Sequence, residues 1–234
     1  MKTIGVLGAI QEEVEQIMAA LNEGKSEEVG GVVYHHGHRA GRRVVVCCAG
    51  MGKANAAAAT QMLITQYGAQ GILFSGVAGN MSSEIGIGDV VIGQEVFYHD
   101  ASDELLALCP PYTALYTAHP LLVDVAKQAC ELTGVRYLVG RIATGDQFIG
   151  DTETKRRIQE KCHPDCVEME GAAVAQIAMR NNVPFVVLRA MSDNCDEALS
   201  FDGADKFDIS AYVTTASAIV VAAIDALKTL DTSI

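Results

Sequence analysis

Apolar runs of strand length alternate with longer stretches of helical period along most of the chain. Strand-like runs cover residues 3–7, 32–36, 43–48, 71–74, 89–92, 137–143, 166–169 and 185–191. Helical spacing covers 10–21, 53–67, 120–132, 153–160, 170–180 and 211–227. This alternation predicts an α/β protein, a three-layer α/β/α arrangement around a central sheet. The runs at 32–36 and 43–48 flank a Gly-containing turn and read as an antiparallel hairpin, so the sheet should be mixed. No linker, repeat or low-complexity segment interrupts the 234 residues, and one domain spanning 1–234 is expected. Two segments are irregular, 100–117 with its Cys109-Pro110-Pro111-Tyr112 and 193–206. Both read as surface loops of the kind that serve as lids or interface elements.

Composition narrows the possible partners. The net charge of −12 disfavours phosphate backbones and anionic lipids, so neither nucleic acid nor membrane is expected as a partner. Half the residues are hydrophobic, yet no run reads as the roughly 18–20 apolar residues of a membrane span. The first residues read as a strand followed at once by Glu12, Glu13 and Glu15, not as a signal peptide. Seven cysteines, an odd number scattered through apolar stretches, indicate reduced, cytoplasmic usage. Cys162, His163 and Cys166 lie close together but lack a second pair at ligand spacing, so no metal site is expected.

In open α/β sheets, ligands collect at the carboxyl ends of strands, and several of these ends carry unusual residues. After the first strand, Ile10, Val14, Ile17, Met18 and Leu21 form one helical stripe. Glu13 falls about 60° from its centre, while Glu12 faces the other way. Glu13 therefore points toward the top of the sheet, either as a functional acid or as one that favours the helix N-terminus. The small residues of Ser75-Gly76-Val77-Ala78-Gly79 would admit a ligand to the backbone or make a tight turn. Gly50-Met51-Gly52-Lys53 lacks the spacing of a phosphate loop and has Ala54 where Ser or Thr would hold magnesium, which argues against an NTPase. Glu168 and Glu170 bracket Met169 just before an Ala-rich helix. If buried, they need ribose hydroxyls or a cation as partners. Arg189, inside an apolar strand, could be that cation. Ser192-Asp193 closes the same strand, where Asp193 is either catalytic or a loop hydrogen-bonding group. Phe148, after another strand end, is either core or a stacking platform for a flat ring.

Together these segments resemble the 5′-methylthioadenosine/S-adenosylhomocysteine nucleosidase family of the purine nucleoside phosphorylase superfamily. The resemblance runs over nearly the whole chain. It is carried by Gly8-Ala9-Ile10-Gln11-Glu12-Glu13, Ser75-Gly76-Val77-Ala78-Gly79, Gly145-Asp146-Gln147-Phe148-Ile149, Val167-Glu168-Met169-Glu170-Gly171 and Leu188-Arg189-Ala190-Met191-Ser192-Asp193. Their order and separation make it specific. It implies that Glu13 activates water and that Asp193, held by Ser192, protonates the departing adenine at N7. It implies that Glu170 accepts from the ribose hydroxyls, aided by the Met169 main chain and by Arg189. Phe148 would stack on adenine, and the Ile149 backbone would read its edge. Ala78 and Gly79 would line the site, with Ile10, Met51 and Phe201 around the 5′-thio group. The chain departs from the common pattern at Ile10, where many members have Met, and at Val77, where many have Ser. The resemblance further implies no cofactor, a role in methionine salvage, and a homodimer in which a neighbour's loop closes the 5′ pocket, a role that segment 100–117 could serve.

Breaking an N-glycosidic bond builds positive charge on ribose and negative charge on the base. One group must donate a proton to the base while another readies water on the opposite face. Asp193 must then carry or share a proton near neutral pH, and Glu13 must be able to accept one. A phosphorylase would instead need cations and free N–H groups near the ribose. The first strand end offers Glu12 and Glu13 and no Arg before Arg39, so water is the expected nucleophile. An aminofutalosine hydrolase using the same acids is the nearest alternative, with a purine nucleoside phosphorylase behind it. A nucleoside sensor without turnover would not need Glu13.

Overall fold

The computed structural model describes residues 1–196 and 208–230. Ten strands and seven helices follow in the order β1 (Thr3–Gly8), α1 (Glu12–Ala19), β2 (Asn22–Val29), β3 (Val32–Arg39), β4 (Arg42–Cys48), α2 (Lys53–Thr65), β5 (Ile72–Asn80), β6 (Val90–Tyr98), α3 (Asp103–Leu106), β7 (Leu115–Thr117), α4 (Pro120–Thr133), β8 (Tyr137–Thr144), α5 (Thr152–Cys162), β9 (Cys166–Glu168), α6 (Gly171–Arg180), β10 (Phe185–Asp193) and α7 (Ser210–Leu230).

The strands form one mixed sheet, ordered β10-β6-β8-β9-β5-β1-β4-β3-β2, with β7 on the side of β6. Strand β10 also pairs with β5, so that end of the sheet closes on itself. Helices α1, α4 and α7 pack together on one face and α2 with α6 on the other, giving the expected three layers. Both faces of the central strands are therefore covered, and their side chains are apolar and buried, among them Ile4, Leu7, Phe74, Ile92, Phe185 and Leu188. The close α2–α6 contact rests on small residues. Ala56 and Ala59 are buried in α2, and the buried positions of α6 are Gly171, Ala172, Ala173, Val174, Ala175 and Ala178.

The predicted hairpin is β3–β4, turned through Ala40 and Gly41, both at positive φ. Four expectations need correction. The apolar runs do not predict strand β2, whose residues are exposed at seven of eight positions and lack apolar alternation; it exists by pairing with β3. Ser75-Gly76-Val77-Ala78-Gly79 does not make a turn but continues β5, pairing with β10 up to Gly79. Segment 100–117 contains α3, capped by Ser102, and β7. Finally, Ser210–Leu227 is apolar and long enough to cross a membrane by composition alone, although half of it is buried against the domain. It packs on α1, α4, β5 and β10, with Ile219, Val220 and Ile224 fully enclosed.

Candidate active site

A cleft of about 690 Å³, part of it open to solvent, lies at the carboxyl ends of β1, β5, β9 and β10. Eleven of the thirteen residues expected at the site line it: Ile10, Glu13, Met51, Ala78, Gly79, Phe148, Met169, Glu170, Arg189, Ser192 and Asp193. Ile149 lines the adjoining recess with Gly79, Phe148, Met169 and Asp193, and its side chain is buried against Met81, Phe97 and Val167. Phe201 lies outside the described residues. The cleft also takes in Ala9, Val77, Val167, Glu168 and Ile209. Ile209 carries no sequence signal beyond being apolar just ahead of the last helix.

Glu13 is 3% exposed although it sits in the first turn of a surface helix. Its Oε2 accepts from the Ala9 N–H at 2.5 Å and the Ile10 N–H at 3.2 Å, and its Oε1 accepts from the Val77 N–H at 3.1 Å. The carboxylate thereby ties the β1 end to β5. Burial pushes the Glu13 carboxyl above its ordinary value, against the pull of Arg189 and of the three N–H groups. Gly76 leaves the space for this arrangement. A Cβ there would stand 1.8 Å from Arg189 Nη1 and 2.6 Å from Glu13 Oε1.

Arg189 is 1% exposed, and its guanidinium carbon lies 4.0 Å from the centroid of the Phe74 ring. It pairs with both glutamates of the 168–170 run, and the two are not equivalent. Glu168 takes a hydrogen bond from Thr144 Oγ1 on one oxygen. The other accepts from Arg189 Nη2, the Glu170 N–H at 3.1 Å and the Gly171 N–H at 2.6 Å. A carboxylate offers about four acceptor positions, so Glu168 is saturated by the protein. Among the described residues Glu170 accepts only from the Gly52 N–H at 2.8 Å and from Arg189 at 3.3 Å, which leaves capacity for a ligand's hydroxyl groups. Burial raises the Glu170 carboxyl to about 7; Glu168 and Glu13 add to the shift, while Arg189 and the Gly52 N–H oppose it.

Glu170 therefore makes stability depend on pH. Between its ordinary 4.5 and about 7, the folded chain holds a proton that the unfolded chain has released. The stabilising contribution is complete below that window and is lost as pH rises through it. Thermal unfolding of the ligand-free protein should show a midpoint that falls from pH 5 to pH 8, with a smaller fall in Glu170→Gln. Equal falls in the two proteins would contradict this assignment.

Asp193 ends β10 just past a register shift between Met191 and Asp193. Ser192 Oγ donates to Asp193 Oδ2 at 2.8 Å and also lies 3.3 Å from the Ala78 carbonyl oxygen. The Cys195 N–H donates to Asp193 Oδ1 at 2.9 Å. Both oxygens are thus oriented, and the side chain is half-buried at the cleft wall. Phe148, 43% exposed, stands at the mouth, and Met51 is exposed beside it. The cleft therefore combines an apolar recess, a glutamate (Glu168) saturated by the protein and paired with Arg189, one carboxylate with spare acceptor capacity and two further oriented acids.

Residues 3–225 match the sequence model of the Phosphorylase superfamily. The 5′-methylthioadenosine/S-adenosylhomocysteine nucleosidase of Shewanella sp. (strain MR-7) is 36% identical over 207 residues, 85% of this chain and 88% of that protein. The enzyme of the same name from Oceanobacillus iheyensis is 34% identical over 208 residues, covering 86% and 90%. The crystal structure of the Neisseria meningitidis 5′-methylthioadenosine/S-adenosylhomocysteine nucleosidase with methylthio-immucillin-A superposes with a TM-score of 0.86 at 30% identity, over 96% of this chain and 99% of that one. A futalosine hydrolase of Helicobacter pylori superposes at 0.85 and 29% identity, covering 96% and 97%. The chain belongs to the phosphorylase superfamily and, within it, to the 5′-methylthioadenosine/S-adenosylhomocysteine nucleosidase family. It is an N-glycosyl hydrolase.

Proposed function

We propose that this enzyme hydrolyses the N-glycosidic bond of 5′-methylthioadenosine and S-adenosylhomocysteine, releasing adenine and the 5-thioribose product. Asp193 is the general acid at adenine N7, oriented by Ser192 and the Cys195 N–H. Glu13 accepts the proton of the attacking water. Glu170 binds the ribose hydroxyls, assisted by the Met169 main chain, while Arg189 holds Glu170 in place. Phe148 stacks on adenine, the Ile149 backbone reads its edge, Ala78 and Gly79 form the wall, and Ile10 and Met51 meet the 5′ substituent.

The observation that carries the choice of water is the environment of Glu13. The N–H groups of Ala9, Ile10 and Val77, which could cradle a phosphate, are already committed to its carboxylate. A phosphate there would meet a negative charge and find those donors taken. Adenine release from methylthioadenosine in phosphate-free buffer should therefore proceed at a rate that added phosphate leaves unchanged. Release only when phosphate is present would overturn the reading. Running S-adenosylhomocysteine and aminofutalosine alongside decides the second reading, which the Helicobacter pylori futalosine hydrolase supports through its similar structural likeness. The exposed Leu105, Leu108 and Tyr112 of segment 100–117 support the homodimer, in which that segment would close a neighbour's 5′ pocket.

A further inference from the structure

The three strand-end loops around the cleft are joined by a charged network that no step of the reaction uses. Parallel pairing of β6 with β8 sets Tyr98 beside Thr144, so the chain leaves the two strands with Asp100 and Asp146 side by side. Lys53, the first residue of α2, reaches both. Its Nζ lies 2.9 and 2.8 Å from the two oxygens of Asp100 and 3.4 Å from Asp146 Oδ2, over the Tyr98 ring. The backbone follows the same route. The Lys53 N–H donates to Asp146 Oδ1 at 2.9 Å, and the Asp146 N–H donates to Asp100 Oδ2 at 3.0 Å. Partial burial opposes the charge on Lys53, but Asp100 and Asp146 outweigh it and hold the ammonium above its ordinary value.

The adjacent amide points into the site. Gly52 N–H, one residue before Lys53, supplies the 2.8 Å hydrogen bond to Glu170 Oε1. It is the only neutral donor to this carboxylate among the described residues, the other being Arg189. Two successive amides at the start of α2 thus serve two carboxylates, one outside the cleft and one inside it. Helix N-terminal amides are well suited to that task, but their direction depends on what holds the turn.

We propose that Lys53, Asp100 and Asp146 form a latch that positions Glu170 for the ribose hydroxyls by fixing the turn that carries the Gly52 N–H. This rests on the assignment of Glu170 to ribose binding made above. The three residues are positioning residues and touch no substrate. When the latch opens, the turn swings away and Glu170 is held by Arg189 alone, free to rotate toward it and away from the hydroxyls. The effect falls on nucleoside binding rather than on proton transfer at Asp193.

The test is adenine release by Lys53→Met, Asp100→Asn, Glu170→Gln and the two double variants with Glu170→Gln, each with methylthioadenosine. Asp100→Asn preserves side-chain size and carries the test if Lys53→Met is insoluble. Either latch variant should raise KM about tenfold, the scale of one charge-assisted hydrogen bond, with kcat changed by less than about threefold. In the Glu170→Gln background the same substitution should change KM by less than about threefold, because the group it serves has already been altered. An unchanged KM in the single variants, or a full tenfold shift that persists in the Glu170→Gln background, would overturn the latch. A wild-type protein that releases no adenine from methylthioadenosine would instead refute the reading of the site.

Discussion

Asp193→Asn is expected to lower kcat for adenine release by about a thousandfold or more while KM stays within about fivefold. The substitution keeps the shape and leaves the Ser192 and Cys195 contacts with partners, so the cleft wall should hold. It removes the proton that must reach adenine N7 as the glycosidic bond breaks. Without it, adenine departs as an anion, and the transition state loses a contribution of roughly 3–5 kcal/mol. Glu13→Gln should also be severely impaired, since an amide cannot take the proton of the attacking water. Steady-state adenine release with methylthioadenosine decides both, and near-full activity in either variant would sink the corresponding role. If Asp193→Asn binds substrate poorly but turns it over normally once saturated, Asp193 is a binding group and not the acid.

The second large effect is on stability. Arg189→Met should destabilise the folded protein by roughly 3–5 kcal/mol, because it leaves Glu168 and Glu170 buried without their shared cation. The loss of the guanidinium stacked on Phe74 adds to this. For a chain of this size the thermal midpoint should fall on the order of 10 °C at neutral pH. The fall should be smaller at pH 5, where the raised Glu170 carboxyl is already neutral. Differential scanning calorimetry at the two pH values measures both. A midpoint within about 2 °C of wild type at neutral pH would mean that the buried pair contributes little net stability.

The residues differ in how far their roles were legible before the structure. Helical periodicity was enough to turn Glu13 toward the sheet and Glu12 away, since it compares side chains on one rigid element. The same periodicity could not separate Glu168 from Glu170. Both stand beside Arg189, and what distinguishes them is that Thr144, from a strand 24 residues earlier in the chain, together with the Glu170 and Gly171 N–H groups fills the remaining acceptor positions of the first. The small residues at 75–79 suggested room for a ligand or a turn. In the structure, the space beside Gly76 belongs to Arg189 and Glu13, and that beside Gly79 to Cys195, whose Sγ would lie 2.1 Å from a Cβ there. Strand β2 has no apolar alternation, since its residues are polar and exposed up to Val29; its backbone pairing with β3, with Ser26 on His35 and Glu27 on His36, defines it. Local pattern thus reached the elements and the strand ends. The division of labour among the acids depended on contacts between distant segments.

One strand connects the whole site. β5 pairs with β1, β9 and β10, the three strands whose ends carry or precede Glu13, Glu170 and Asp193. The acids come from residues 13 to 193, yet each is placed by its neighbour's alignment to the same nine residues, Ile72–Asn80. A refolding chain therefore has no partially active stopping point. Until its last strand has docked, the site lacks its acid, and contacts so distant in sequence form late. Recovery of adenine release during refolding would thus report completion of the sheet rather than the appearance of its helices.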